Sequence, residues 1–428
     1  MSAVVFLGSL IGAIGIGMPI AFALLVCAIA LMVMLGGVNP QILAQKVVDG
    51  ADSYPLMAVP FFLLAGELMN AGGLSKRIVD AAMSLFGHLR GGLGYVVIGT
   101  GLLLASMSGS AIADTATLAV MLLPMMRAGG YNVARACGLM AATGIIAPII
   151  PPSVGFILLG VTANLSITQL FMAGIVPGLL MAVALAVAWW LVSRHDDTAR
   201  SERRSRREVA IALRRAGWAF VMPVIIIGGL KFGVFTPTEA GIIAATYALL
   251  VSLFVYRELS PAALYGCVLN AAKTSAVIMF LVAASMVSAW LIAVANVPGQ
   301  VVAMLEPFAH SQTLLMLAIV VAVLLIGTVL DFTPAILILV PVLMPVVKTA
   351  GIDPVYFGVV FVMTTAIGMI TPPVGAVLNA VCGVSKVPIE QAARGLLPFL
   401  IAEITILLIL VLFPWVVTGP GAFLASRL

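Results

Sequence analysis

Long apolar stretches follow one another along the chain, separated by short polar connections. The segment 4–35 is long enough for one tilted membrane span, and further stretches of similar character are 169–192, 274–297 and 396–417. Uniform apolar character over about 20 residues is typical of transmembrane helices, whereas outer-membrane strands alternate over about ten. The pattern therefore predicts an all-α polytopic membrane protein.

One shorter apolar stretch, 55–73, interrupts this series. It contains Glu67 and ends in Gly72-Gly73. Because it is too short for a comfortable crossing, we predict half of a re-entrant hairpin, or a short helix that returns through Arg77 to His88. Glu67 is interpreted either as a proton or ion ligand or as a packing carboxyl near an interface.

Two parts of the chain match at a constant offset of 221 residues. The matched pairs are Pro124 with Pro345, Gly130 with Gly351, Thr143 with Thr364, Pro151-Pro152 with Pro372-Pro373, Gly174 with Gly395 and Pro177 with Pro398. Glycine and proline set backbone dihedrals, so the two halves should share backbone geometry. We divide the chain into a first repeat, 1–193, a basic loop, 194–215, and a second repeat, 216–428.

Each double proline predicts a broken helix, because proline cannot donate to the carbonyl four residues back. The carbonyls released in this way are those of Ala147, Pro148, Gly368 and Met369. Polar stretches upstream, 108–110 and 327–334, predict a second interrupted helix in each copy. Within a bilayer, free carbonyls are buried in protein or line a wet cavity, where they can bind a desolvated cation. Ordinary proline kinks are the alternative, which the fixed offset disfavours.

An acid lies beside one break in each repeat. Asp114 follows the first polar break, and we favour helix capping over direct cation binding as its role. Asp331 aligns with Ser110 and not with Asp114, so the two sites should be similar in backbone and unequal in charge. No Lys or Arg occurs in 136–193 or 275–347, which indicates cation sites and not anion pores. Glu239, in the first turn of a helix opened by a proline, is interpreted as a cap residue.

Composition agrees with a membrane protein: 63% of residues are hydrophobic, 9% are charged, and the mean hydropathy is +1.24. The net charge of +5 is unevenly placed, since eight of the 21 Lys and Arg lie between Arg194 and Arg215. We place this basic loop in the cytoplasm. Without a basic domain or interleaved aromatic residues, the loop is not expected to bind nucleic acid.

Neither an enzyme nor a metal centre is predicted. The four cysteines are isolated in apolar runs, which indicates small core residues. The three histidines, His88, His195 and His310, lie at segment edges, and no nucleotide cradle or catalytic pair occurs. A secondary transporter is therefore favoured over an intramembrane enzyme or a purely structural subunit.

The motifs at 108–115 and 148–153, with Ala58-Val59-Pro60-Phe61-Phe62 upstream, resemble the large membrane subunit of tripartite ATP-independent periplasmic (TRAP) transporters over nearly the whole chain. The resemblance implies an ion-transporter-superfamily fold with two inverted repeats, re-entrant hairpins and broken helices. It implies an elevator movement in the bacterial inner membrane, driven by sodium ions as coupling ions, with no other cofactor. The implied partners are a small four-helix membrane subunit, expected as a separate chain, and a periplasmic binding protein that delivers an organic acid. The alternative is a stand-alone sodium–carboxylate symporter of the same superfamily.

The resemblance also assigns site residues by position. The first sodium site would use Ser108, Ser110, Ala147, Ile150 and Pro152, and the second would use Gly327, Thr364, Gly368, Thr371 and Pro373, mostly through backbone oxygens. The helix breaks or the substrate would be supported by Gly109, Asp114, Thr115, Pro151, Ser153, Asp331, Thr333 and Pro372. Ala147 stands where many relatives have glycine, which a backbone ligand tolerates. The family gives no function for the basic loop.

Overall fold

The computed structural model describes residues 2–37, 39–194, 196, 202–305 and 311–425. Within these ranges all regular structure is helical, and eight helical segments are long and apolar enough to cross a membrane. The all-α polytopic prediction is confirmed. His195 and His310 lie outside the described residues.

The helices of the first half are α1 Ser2–Gly15, α2 Ile20–Met34, α3 Pro40–Ala51, α4 Ala58–Ala71, α5 Leu74–Phe86, α6 Gly92–Ser108, α7 Ala111–Ala128, α8 Val133–Gly144, α9 Val154–Ala163 and α10 Ile167–Ser193. Those of the second half are α11 Arg206–Lys231, α12 Pro237–Leu250, α13 Pro261–Val294, α14 Val297–Leu305, α15 Gln312–Gly327, α16 Phe332–Thr349, α17 Pro354–Gly368, α18 Ala376–Ser385, α19 Ile389–Leu412 and α20 Trp415–Ala425.

The amino-terminal segment 4–35 forms two helices, so the prediction of a single span is wrong. Gly17 has a φ of 81°, in the left-handed region, and Pro19 precedes the first turn of α2. A left-handed glycine ends a helix, and proline cannot continue the hydrogen bonding of the preceding turn. As a result α1 and α2 pack against each other.

The stretch 54–71 lies along the whole length of α12, so the prediction of half a re-entrant hairpin is wrong. The Tyr54 carbonyl accepts a hydrogen bond from the Thr238 hydroxyl, at the start of α12, and the Leu68 carbonyl accepts one from Ser252, just past its end, both at 3.2 Å. A 3₁₀ turn, Tyr54–Met57, extends α4 to 18 residues.

Helix α5 does not return through the membrane. Asp80, near its middle, pairs at 2.8 Å with Arg204 of the basic segment before α11. Gly91, just beyond its end, accepts a 2.8 Å hydrogen bond from the indole of Trp189, near the end of α10. Because both contacts lie at the end of the molecule that carries the basic segment, α5 runs along that surface.

The basic loop is shorter than predicted, because α11 begins at Arg206 and includes Arg214 and Arg215. Ser205 caps this helix, and Glu208 accepts a 2.7 Å hydrogen bond from the Ser205 amide, which completes a capping box. The Ser-x-x-Glu spacing indicates this helix start, but the loop was predicted from its charges alone. The boundary predicted at 216 therefore falls inside α11.

The 221-residue offset relates the bounds of several helices. Helices α7 and α16 begin and end at positions 221 apart, and so do the starts of α8 and α17. Helices α10 and α19 follow them in equivalent places, yet Trp189, near the end of α10, stacks on Phe399 in the first half of α19, with ring centroids 6.2 Å apart. The two equivalent helices therefore run in opposite directions.

The helix starts show the same inversion. Arg135, near the start of α8, donates a 2.9 Å hydrogen bond to the Val192 carbonyl at the end of α10. Tyr356, at the start of α17, donates a 3.2 Å hydrogen bond to the Leu410 carbonyl at the end of α19. Because α10 and α19 are antiparallel, α8 and α17 begin at opposite ends of the molecule. The inverted repeat of the fold class is confirmed, while the domain boundaries stay predictions.

The polar stretches upstream of the double prolines are tips of hairpins. The Leu93 amide, at the start of α6, lies 3.4 Å from the Tyr131 hydroxyl just after α7, and Gln312, at the start of α15, donates to the Ala350 carbonyl just after α16 at 3.1 Å. The second helix of each pair thus ends on the side of the molecule where the first helix begins. Gly109, with a φ of 63°, allows the first reversal. The prediction of interrupted helices at these two places is wrong in topology, since the chain turns back.

The double prolines do interrupt helices, as predicted. The chain is non-helical between α8 and α9 and between α17 and α18, and in both interruptions the peptide bond between the two prolines is cis. Each repeat therefore contains one hairpin followed by one broken helix.

Candidate functional site

A cavity of about 620 Å³ lies where the two hairpin tips face α2 and α13. One wall is formed by 109–112 and 331–334 of the tips, and the other by 19–22 and by α13 residues between Thr274 and Leu281. Pro148 and Met369 bring the two broken helices to the same cavity. The hairpins and broken helices of both repeats thus share one site.

Asp331 is the charged residue of this lining, among apolar side chains and the hydroxyls of Ser110, Thr274 and Thr333. It occupies the N-cap position of α16, but its side chain makes no capping hydrogen bond and is exposed. The carboxylate is therefore free to face a ligand in the cavity.

Four helices begin at the cavity, since Ile20, Ala111, Val154 and Phe332 start α2, α7, α9 and α16 and all line it. Helix amino termini carry partial positive charge and unpaired amides, which favour anionic groups. Ser110 caps α7 by accepting a hydrogen bond from the Ala113 amide at 3.4 Å. The capping role predicted for Asp114 is therefore wrong, because the serine holds that position.

The predicted members of each sodium site lie on segments that touch. A Cβ atom added to Gly109 would lie 2.7 Å from the Pro152 carbonyl oxygen, so the first hairpin tip is in contact with the first broken helix. A Cβ added to Gly368 would lie 2.8 Å from the carbonyl carbon of Gly327, which joins the second tip to the second broken helix. Sodium binding by either set stays a prediction.

A buried polar cluster lies behind the first tip. Asp114 is 1% exposed, and its Oδ1 accepts a hydrogen bond from the Ser108 hydroxyl. Within the described part of the chain, its Oδ2 and the hydroxyls of Thr115 and Thr143 have no hydrogen-bond partner. Gly144 brings α8 against α7 here, since a Cβ at this position would lie 1.6 Å from Thr115 Oγ1. Unpaired buried oxygens next to a carboxylate are suited to a cation.

Thr143 is a residue that the sequence analysis did not place in the site. The signal was present, because Thr143 lies 221 residues before Thr364, a predicted sodium ligand. The Thr364 hydroxyl donates to the Val360 carbonyl at 2.7 Å, as a buried helical threonine commonly does. The two equivalent threonines therefore differ in their hydrogen bonding.

Most of the carbonyls that the double prolines release from helical bonding find other donors, so the prediction that they are free is wrong for three of the four. The bonds are Pro148 O with the Ser153 hydroxyl at 2.5 Å, Gly368 O with the Thr371 amide at 3.0 Å, and Met369 O with the Val377 amide at 3.0 Å. The Thr371 hydroxyl in turn donates to the Ile367 carbonyl at 2.8 Å. Local turns thus provide hydrogen-bond donors for carbonyls that the double prolines leave outside the helices.

The two broken helices differ in burial. Ala147, Ile150, Pro151, Pro152 and Ser153 are all buried behind the cavity, whereas Pro372 and Pro373 are exposed. Glu67 is half-buried on α4 and is not part of the lining, so its role stays a prediction. The sequence analysis also missed the apolar wall, because α2 and α13 carry no motif.

Comparison with known proteins agrees with this architecture. The profile of the DctM component of tripartite ATP-independent periplasmic transporters matches residues 7–416. The chain belongs to this family. A TRAP transporter large permease protein of Haemophilus influenzae is 53% identical over 420 residues, which cover 98% of this chain and 99% of the relative. The 2,3-diketo-L-gulonate TRAP transporter large permease protein YiaN of Escherichia coli is 51% identical with the same coverage.

Among solved structures, the crystal structure of the YdaH transporter of Alcanivorax borkumensis matches with a TM-score of 0.65 at 16% identity, and the match covers 88% of each chain. This similarity concerns the fold alone. Family membership and the apolar spans establish a multi-pass subunit of a TRAP transporter in the bacterial inner membrane, and not an enzyme.

Proposed function

We propose that this permease carries an organic acid across the inner membrane by an elevator movement coupled to sodium. The observation that carries the proposal is the cavity shared by both hairpin tips, where four helix amino termini converge and Asp331 is the charged lining residue.

An anionic substrate fits the helix termini. Relatives in the family are named for 2,3-diketo-L-gulonate, sialic acid and C4-dicarboxylates, all of which are organic acids. Because no Lys or Arg is among the described residues that line the cavity, the partial charges of α2, α7, α9 and α16 would supply the attraction for a carboxylate. The negative charge of Asp331 would repel the substrate carboxylate. Two unit charges about 5 Å apart repel by about 3 kcal/mol at an effective dielectric constant of about 20.

Sodium ions would remove this opposition. Cations held at the contacts of Gly109 with Pro152 and of Gly327 with Gly368 would offset the charges of Asp331 and the substrate. The buried carboxylate of Asp114, with one oxygen unpaired, would add to the attraction for a cation behind the first tip. The coupling is reciprocal, so sodium tightens substrate binding and the substrate tightens sodium binding by the same factor.

The division of the cavity walls supports an elevator movement. The hairpins and broken helices form one wall, while α2 and α13 form the other. In a protein built from inverted repeats, the two walls can pack in equivalent ways in the outward-facing and inward-facing states. One wall can therefore slide past the other and expose the site first to one side of the membrane and then to the other. As the family is tripartite, we propose a small membrane subunit and a periplasmic binding protein as partners.

The test is uptake into proteoliposomes that contain the permease, the small subunit and the binding protein encoded with it. Labelled 2,3-diketo-L-gulonate, a sialic acid and a C4-dicarboxylate are compared with inward sodium or inward choline gradients. We expect uptake of one acid that needs both sodium and the binding protein. Sodium-dependent uptake by the permease alone would instead support the stand-alone symporter, and sodium-independent uptake would contradict the cation sites.

The same vesicles test the role of Asp331. At saturating sodium, Asp331→Asn should lower the substrate concentration needed for half-maximal binding, because one of the two repelling charges is removed. Asp353→Asn is the matched control, since Asp353 caps α17 away from the cavity. An equal effect of both substitutions would contradict the electrostatic role.

A further inference from the structure

A second large pocket, of about 760 Å³, lies away from the transport cavity at the end of the molecule that carries the basic segment. Its walls are the surface helix α5, the first turns of α11 and the segment after α12. Tyr256 fixes two of these walls together by donating a 2.7 Å hydrogen bond from its hydroxyl to the Arg215 carbonyl. The pocket is therefore held by a contact between α11 and the segment after α12.

Two of the cations at the pocket are already paired. Arg77 donates to Glu258 at 2.7 Å and to the Gly73 carbonyl at 2.9 Å, and its guanidinium lies 3.8 Å from the centre of the Tyr256 ring. Asp80, the other acid in the lining, is paired with Arg204 at 2.8 Å. Both lining acids are thus neutralised by an arginine.

Three further cations in the lining have no such partner among the described residues. These are Lys76 on α5 and Arg214 and Arg215 on α11, all of them exposed. They leave the pocket with an excess of positive charge on two facing helices. An anion placed between these helices would meet cations from both sides.

The pocket also lies at a membrane boundary. On α11 the arginines end at Arg215, and an apolar stretch follows, 216–230. Trp218, in the first turn of that stretch, is 47% exposed, and Ile211 and Val255 in the same lining are each 42% exposed. Aromatic side chains mark the level of lipid headgroups, and basic pockets between transmembrane helices bind anionic headgroups.

We propose that this pocket binds the phosphate headgroup of an anionic phospholipid from the adjoining leaflet. Lys76, Arg214 and Arg215 would hold the phosphate, and Trp218 with Ile211 and Val255 would contact the upper part of the acyl chains. A bound lipid would then bridge α5 and α11. A free phosphate would satisfy the three cations but would leave the apolar rim uncovered.

The full-length permease in bilayers provides a direct test, because Trp218 lies in the pocket. Its fluorescence is quenched by phospholipids with brominated acyl chains, and Trp218→Phe identifies its share of the signal. We compare brominated phosphatidylglycerol with brominated phosphatidylcholine at a fixed total lipid concentration. If each cation contributes about 1 kcal/mol, or about five-fold in affinity, the native pocket should prefer the anionic lipid by about a hundred-fold at most and by at least several-fold.

The pocket variant is Lys76→Gln/Arg214→Gln/Arg215→Gln. Its matched control, Arg203→Gln/Arg206→Gln/Arg207→Gln, removes three charges from the same basic region outside the pocket lining. We expect the pocket variant to lose the anionic preference and the control to keep it. Thermal unfolding of both variants in phosphatidylcholine shows whether they remain folded.

Four outcomes would overturn the proposal. The native chain could show no preference for the anionic lipid, or the two triple variants could lose it equally, which would indicate general surface electrostatics. Millimolar inorganic phosphate could displace the lipid, which would indicate a site for free phosphate. Co-reconstitution of the small membrane subunit could abolish the preference, which would make that protein, and not a lipid, the occupant.

Discussion

The contact between Gly327 and Gly368 allows a sharp test of the second sodium site. In Gly368→Ala the new Cβ would lie 2.8 to 2.9 Å from the carbonyl carbon, Cα and oxygen of Gly327. Carbon atoms pack at about 3.5 Å or more, so the hairpin tip and the broken helix must separate by about 0.7 Å. In Gly327→Ala the new Cβ would lie 3.4 Å from the Gly368 Cα, which is ordinary contact. Both glycines end a helix, so any gain in helix propensity should be similar in the two variants.

Overpacking of this kind costs about 1 to 3 kcal/mol. If the cost falls on the sodium-bound arrangement, the sodium affinity decreases about five- to 150-fold. At a sodium concentration about 100 times the dissociation constant, sodium stabilises the native chain by about 2.7 kcal/mol, and a 30-fold weaker site reduces this to about 0.9 kcal/mol.

The assay is thermal unfolding of the purified permease over a range of sodium concentrations, with choline keeping the ionic strength constant. We expect the sodium-dependent rise in Tm to fall to about a third in Gly368→Ala and to stay near the native value in Gly327→Ala. Sodium-driven uptake should likewise be lower in Gly368→Ala than in Gly327→Ala. An equal rise in Tm for both variants would refute the assignment of this contact to a sodium site.

Three further predictions concern the first hairpin and α19. Gly109→Ala places a Cβ 2.7 Å from the Pro152 carbonyl oxygen at a φ of 63°, so uptake should decrease more than ten-fold, and near-native uptake would contradict the tip contact. Asp114→Asn removes the buried charge behind the tip, so the sodium concentration for half-maximal uptake should rise about ten-fold; an unchanged value would exclude a role in sodium binding. Glu403 is fully buried on α19 with no described hydrogen-bond partner for either oxygen. Glu403→Leu should therefore raise Tm, because it removes the free-energy cost of about 1 to 3 kcal/mol of burying a carboxyl group without hydrogen bonds. A lower Tm would show that the carboxyl has a partner.

The positions of the breaks could be predicted from sequence because they are local. Proline removes an amide donor wherever it stands, so the interruptions at Pro151-Pro152 and Pro372-Pro373 follow from residue type. The direction of the chain after a break is not local. Gly109 allows both an interrupted helix and a reversal, and the approach of Leu93 to Tyr131 shows which of the two the packing selects. Tertiary contacts therefore determine that the chain reverses here, and no sequence motif at the tip indicates the reversal.

The membrane crossings show a similar division. Counting apolar residues identified the membrane class but merged α1 with α2, because the three turn-forming residues Gly15, Gly17 and Pro19 weigh little in a long apolar run. It also judged 55–73 too short for a crossing, whereas the 3₁₀ turn and α4 together form a helical segment of 18 residues over 54–71. The first error arises because backbone conformation at Gly17 and Pro19, and not hydrophobicity, sets the length of the segment.

The differences between the repeats carry as much information as their similarity. Pro55 and Pro60 of the first repeat correspond to Ala276 and Leu281 of the second, and accordingly α3 and α4 are separate while the equivalent stretch forms the continuous 34-residue α13. The first repeat thus ends one helix and starts another where the second builds a long wall of the cavity. Pro55 cannot donate to the Ala51 carbonyl, where α3 ends, and the second repeat has Ala276 in its place.

The acids are distributed just as unequally. Asp114 has Ala335 as its counterpart and is buried behind the first tip, whereas Asp331 has Ser110 as its counterpart and is exposed in the cavity. A carboxylate out of contact with water is stabilised by a nearby cation, while one at the cavity acts on whatever ligand enters. We therefore propose that the acid behind the first tip favours a bound ion and that the acid at the second tip responds to the charge of the substrate.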